Sequence, residues 1–167
     1  METELGKITR LDIHDKMNWG PGPWQEEPDY LFYWVEKYPC LILRHGLGHL
    51  CGYVGIDKSK APESDHYDDI DLEVHGDVTY GGNRDSELKP EDKESLQGKE
   101  YYWIGFDCAH YLDFMPASIA INRVLPETAK LRSQLFKSKD VYRTINFVKN
   151  EIQGMIDQLK KQDEKIK

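Results

Sequence analysis

Histidine and aspartate fall close together in two short stretches of this chain, and these are residue types that exchange protons near neutral pH. Asp107, Cys108 and His110 lie within four consecutive residues, and His75 directly precedes Gly76 and Asp77. A carboxylate beside an imidazole fixes its tautomer and favours its protonated form. Asp107 and His110 therefore read as an acid–base pair, with His75 as a second acid, base or donor. The competing reading makes Asp107 the cap of a turn and His110 a hydrogen-bonded structural residue. Cys108 between them invites a nucleophilic role, because an imidazole favours thiolate. The adjacent carboxylate opposes that, and buried inert cysteine is common.

Metal chemistry has a weaker basis. His49-Leu50-Cys51 and Cys108-Ala109-His110 are mirror-image pairs, and residues two apart on a strand share a face. Together they offer four zinc ligands, but the wider cysteine spacing of structural zinc sites is missing. No metal is therefore expected, and no cofactor is assigned. No P-loop, H-E-x-x-H, G-x-S-x-G or G-x-G-x-x-G pattern occurs, which removes the commonest enzyme classes.

Such side chains act only where a fold brings them together. Residues 30–35 are aromatic or apolar throughout and read as a strand. Residues 40–44 and 49–56 read as two more, joined by short links at 36–39 and 45–48, which predicts an antiparallel meander. Ile70, Leu72 and Val74 alternate with Asp69, Asp71, Glu73 and His75, the period-two pattern of a fourth strand with one wet face. Residues 101–106 read as a fifth. If the last two are regular antiparallel neighbours, Asp107 lies nearer Asp69 or Asp71 than His75, so the spacing alone does not join the candidate groups.

Gly20-Pro21-Gly22-Pro23 forces a loop, and Trp24 after it is placed to pin that loop to the body. Residues 1–19 receive no firm assignment. Residues 83–99 hold nine charges, one proline and one glycine, and read as an exposed loop. Pro126 opens a helix over about residues 127–136. Val141, Ile145, Val148, Ile152, Met155, Ile156 and Leu159 recur at helical spacing. They predict a helix over 139–162, capped by Ser138 or Asp140, with one apolar stripe on the sheet. The expected fold is α+β in a single domain, 1–167: an antiparallel sheet of about five strands with the long C-terminal helix packed on one face.

Composition narrows the function classes. A length of 167 residues fits one domain, and 39% hydrophobic content suits a globular core. A net charge of −8 argues against non-specific nucleic-acid binding. Three cysteines do not make a disulfide framework. No apolar run reaches the roughly 20 residues of a membrane span, and no secretion-type segment opens the chain. The expected compartment is the cytoplasm, and no membrane partner is expected.

Six blocks carry a resemblance: GPWQEEPD (22–29), PCLILR (39–44), GHLCGYVGI (48–56), VHGDVTY (74–80), WIGFDCAH (103–110) and YRTINFVKNEI (142–152). In this order they resemble the motifs of a widespread family of uncharacterised phage and bacterial proteins, over most of residues 20–160. In that family the fourth block more often reads H-G-G-x-T-[YF] and the fifth continues A-H-A-G-D. Here Asp77 stands in place of a glycine, and Tyr111-Leu112-Asp113 in place of A-G-D. The resemblance implies that Trp24, His75, Thr79, Tyr80, Asp107, Cys108, His110 and Asp113 occupy motif positions, and it implies a phage or prophage setting. It implies no activity.

Two functions follow as expectations. One is a pocket that binds a small polar or phosphorylated molecule, with hydrolysis of that molecule as its further expectation. His75, Asp107 and His110 would do the chemistry, and Trp24, Thr79, Tyr80 and Asp113 would contact the ligand. The other is a non-enzymatic acidic protein that inhibits a host factor by covering its basic surface with residues 69–73 and 83–99.

Overall fold

A computed structural model describes residues 12–64, 66–127 and 140–166. Strands β1 (Tyr30–Val35), β2 (Tyr38–Arg44) and β3 (Leu50–Asp57) form the expected meander. The hairpin register of Val35 with Tyr38 leaves Glu36 and Lys37 as a two-residue turn, the tightest connection an antiparallel pair allows. A short strand, β4 (Tyr80–Gly82), and β5 (Tyr101–Asp107) complete an antiparallel sheet of order β1-β2-β3-β5-β4. Between β4 and β5 lies a short helix, α1 (Pro90–Ser95); α2 (Ala117–Val124) and α3 (Ile145–Lys165) follow β5.

Alternation along the strands divides the core in two. Cys40, Ile42, Val54, Ile104 and Phe106 face α3 and meet Val148, Ile152, Met155 and Ile156 of its apolar stripe. Those four helix side chains are fully buried, worth about 1.5–3 kcal/mol each for the large ones. Leu41, Cys51, Tyr53, Tyr101 and Trp103 point the other way. They are covered by the segment expected to be an exposed loop: Leu88 and Leu96 flank α1 and anchor it to the sheet, while its charged side chains stay outside. Two leucines eight residues apart were a sufficient signal for this second layer, and the nine charges obscured it. A third cluster joins Trp19, Trp24, Ala117 and Ala120.

The wet-faced fourth strand does not form at 69–75. Asp69 closes a short 3-10 turn (Tyr67–Asp69), and residues 70–74 follow without ladder pairing, with Leu72 buried and Asp71 and Glu73 exposed, as the period-two pattern requires. Its backbone partners are side chains of α3. Gln158 bonds both the Glu73 amide (2.8 Å) and the Glu73 carbonyl (2.7 Å), Gln162 donates to the Asp71 carbonyl (2.7 Å), and Glu151 accepts from the His75 amide (2.8 Å). Periodicity reports alternating burial but not what satisfies the backbone. The ladder strand comes later, at Tyr80–Gly82, and this shift carries His75 to the end of β5.

Helix α3 begins at Ile145 instead of 139, because residues 141–144 are used in other contacts. Thr144 is its cap, accepting from the Phe147 amide at 3.3 Å. Ser138 and nearly all of the helix expected over 127–136 lie outside the described residues. Residues 117–124, which lack a clear period, form α2. Among the described residues no helix is long and apolar enough to cross a membrane.

Candidate functional site

β5 ends at Asp107, whose carboxylate accepts from the Ala109 amide at 3.0 Å and turns the chain off the sheet. The loop then folds back, with an Asp113 amide bond to the His110 carbonyl (3.0 Å) and Leu112 at φ 72. Backbone bonds join Val141 to Leu112 (2.7 Å) and Phe114 to Val141 (2.9 Å). They hold residues 141–144 against this loop just before α3 starts.

That clamp buries Asp113. Its side chain has no exposed surface, yet three donors reach it: His75 Nε2 at 2.7 Å, the His110 amide at 3.0 Å and Arg143 Nε at 2.8 Å. Burial raises the carboxyl's pKa, but the bonds from Arg143, His75 and the His110 amide outweigh it and hold the group below its ordinary value. Asp113 is therefore an ionised hub that orients an imidazole and a guanidinium. His75 also lies edge-on to the Phe147 ring (5.2 Å, 90°), and the Arg143 guanidinium sits 4.8 Å from the same ring.

A second imidazole stands beside the first. The rings of His75 and His110 are 5.7 Å apart at 75°. His110 Nε2 lies 3.2 Å from Asp107 Oδ1, an ion-pair distance, but the angle is not that of a hydrogen bond. Gly76 makes this approach possible. It occupies the third position of a turn closed by an Asp77 amide bond to the Val74 carbonyl, at φ 67, and a Cβ on it would lie 2.1 Å from the His110 ring. Asp77 shares the left-handed conformation, at φ 67. His75, Asp107, His110 and Asp113 thus come together at one end of the sheet, as two Asp–His pairs. In each pair Nε2 faces a carboxylate, and among the described residues Nδ1 of neither imidazole has a protein partner.

The remaining candidates lie apart. Trp24 is buried, edge-on to Tyr142 (5.1 Å) and tilted on Phe114 (5.6 Å), with its indole N–H on the Gly20 carbonyl (3.1 Å). It props the loop that carries Asp113 and offers no stacking surface. Thr79 donates its amide to the Gly105 carbonyl at 2.9 Å, leading the chain into β4. Tyr80 lies on the sheet face away from α3, against Tyr53 (5.7 Å), with its hydroxyl on the Asn83 carbonyl (2.8 Å).

Several participants were not singled out from the sequence. Arg143 and Phe147 belong to the block quoted for its resemblance, where a Tyr-Arg pair ahead of a capping threonine was the available signal. Arg44 is nearly wholly buried, donating to Asp29 (2.6 Å), the Gly48 carbonyl (2.9 Å) and Tyr142 Oη (2.7 Å). Glu27 accepts from Tyr142 Oη (2.6 Å) and from the Ile145 amide (2.9 Å) at the start of α3. This network ties residues 22–29, the end of β2 and the start of α3 into the frame behind Asp113.

Burial decides the neighbouring groups. The Cys108 thiol is raised by desolvation and faces α3, while Cys51 is pushed up to about 11 and faces the opposite way. Thiolate is disfavoured at both, and the two His–Cys pairs do not converge. Among the described residues no group of three or more His, Cys, Asp or Glu could hold a metal ion. His49 is pushed down to about 4, mainly by desolvation and then by His45, which stacks on it at 4.6 Å. Two clefts flank the turn after β2, of about 290 and 160 Å³, sharing Arg44, His45 and Gly46. Neither is lined by His75, Asp107 or His110.

No protein-family model matches the chain, and comparisons with curated proteins and with solved structures also give no match.

Proposed function

We propose that the chain binds a small phosphorylated molecule over the paired imidazoles of His75 and His110 and supports acid–base cleavage of its phosphoryl ester. The supporting observation is that both imidazoles turn Nε2 to a carboxylate while Nδ1 has no protein partner among the described residues, with the rings 5.7 Å apart. Arg143 uses Nε on Asp113, and its two terminal nitrogens would neutralise phosphate oxygens. In the cleavage step His75 Nδ1, backed by ionised Asp113, takes a proton from water as its oxygen bonds to phosphorus. Protonated His110 gives its proton to the leaving oxygen as the ester P–O bond breaks. Solvent exchange then restores both imidazoles.

A thermal-shift screen of phosphorylated metabolites, run on the native chain and on a His75→Asn, His110→Asn double variant, tests this. The expected result is a stabilisation by at least one compound that the variant loses. If no compound at millimolar concentration stabilises the native chain selectively, the reading fails.

A second reading, an acidic protein that covers a host protein's basic surface, draws on the exposed side chains of Asp69, Asp71 and Glu73. Affinity capture from host lysate with and without those acids neutralised tests it. Equal recovery of one partner by both forms rules out the charge mechanism.

A further inference from the structure

The larger cleft lies on the sheet face away from α3, at the same end of the sheet as the two Asp–His pairs. Its wall includes Cys51, whose strand partner in the register is Asp107. The alternation of β5 puts Asp107 on this face with Tyr101 and Trp103. Arg84 and Glu87 line the same cleft as Cys51. One strand spacing therefore separates the cleft wall from the carboxylate that faces His110.

The cleft is built for a flat, hydrogen-bonding group. At about 290 Å³ it falls near the lower end of ligand sites, enough for one ring system. His45 is exposed and lines it, with one ring face on His49 at 4.6 Å and 21°. Its exposure makes the ring accessible for stacking by a planar ligand. Across the cleft, Arg84 is fixed in place: its guanidinium lies 3.7 Å from the Tyr53 ring centre and 4.1 Å from that of Tyr80. It is ion-paired with Glu87, whose side chain remains 46% exposed. The Arg84 side chain is only 14% exposed, so the accessible Glu87 carboxylate beside it is the main polar group on this wall, an acceptor for the N–H edge of a nucleobase.

We infer that the ligand is a nucleoside phosphate, its base in this cleft between His45 and the Arg84–Glu87 pair, and its phosphoryl group reaching over Asp107 to His110 and His75. The inference rests on the reading of His75 and His110 as a phosphoryl site and adds to it the class of molecule.

Calorimetric titration of the full chain with orthophosphate and with each of the four ribonucleoside monophosphates separates the two claims. His45→Ala and Glu87→Gln alter exposed side chains on the cleft. At least one monophosphate is expected to bind tenfold or more tighter than orthophosphate. Either substitution should bring it down to the orthophosphate level and leave orthophosphate binding unchanged. If no monophosphate binds more tightly than orthophosphate, or if both variants bind monophosphates as the native chain does, the nucleoside assignment is overturned while the phosphoryl reading stands. Equal loss of orthophosphate in the cleft variants also overturns it. Failure of the native chain to bind either orthophosphate or monophosphates sinks both.

Discussion

His49 offers the most quantitative test of the electrostatics at this end of the sheet. It is 5% exposed, its Nδ1 has no hydrogen-bond partner among the described residues, it stacks on His45, and it lies in the electrostatic field of Asp107, Asp113 and His110. Desolvation first, then the neighbouring imidazoles, lower it from 6.5 to about 4, against the opposing pull of the two carboxylates. The unfolded chain therefore takes up a proton near pH 6.5, while the folded chain takes it up only near pH 4. Stability from this group is complete above pH 6.5 and falls as the pH drops through that interval. At pH 4.5 the linkage amounts to about 2–3 kcal/mol, a sizeable share of a typical domain's stability. The acids held below their ordinary value, Asp29, Asp57, Asp113 and Asp163, lose their contribution only below about pH 4, so the two windows separate. Urea unfolding at pH 7.0 and 4.5 measures the difference, with His49→Phe as the control, because phenylalanine keeps a ring against His45 and cannot titrate. The native chain should lose about 2–3 kcal/mol more than the variant across this range. Equal losses would show that His49 is not a desolvated neutral group and refute the reasoning.

Asp113→Asn removes the one charge that Arg143 and His75 share in a buried position, and should cost about 3–5 kcal/mol in denaturant unfolding. A loss under 1 kcal/mol would mean Asp113 is not the hub described. Gly76→Ala places a methyl group where the His110 ring sits, so it should displace His110 from Asp107. The His110 ring resonances should shift, and any phosphate-dependent stabilisation should fall at least tenfold in affinity; an unperturbed His110 would contradict the packing. Asp77→Gly relieves a left-handed backbone on a residue with a Cβ, and thermal unfolding should show a gain of about 0.5–1 kcal/mol. A loss instead would assign the Asp77 side chain a stabilising role.

The sheet and its long helix were legible because their signals are local. An unbroken aromatic run gives β1, and apolar residues at helical spacing give α3. The errors arose where pattern and partner diverge. Residues 70–75 alternate like a strand because Leu72 faces the core and its neighbours face water, yet Gln158, Gln162 and Glu151 bond the backbone from α3. Nine charges hid Leu88 and Leu96. For the site, His75, Asp107 and His110 were recognisable by residue type, and Asp113 through a resemblance. Their joining was not, because it depends on β4 starting at Tyr80 and on residues 141–144 leaving the helix to clamp the loop of Asp113. Arg143, Arg44 and Glu27 are long polar side chains that a sequence reading assigns to solvent. Only the tertiary clamp buries Arg44 and Glu27 and half-buries Arg143.

The central claim is that His75 and His110 share one anion. Nitrogen-15 NMR of the imidazoles during an orthophosphate titration tests it most directly, since each Nδ1 reports its own contact. The account predicts that the Nδ1 signals of His75 and His110 move together, with one dissociation constant, while exposed His66 stays still. Movement spread evenly over all the histidines, or of one member of the pair without the other, would contradict it.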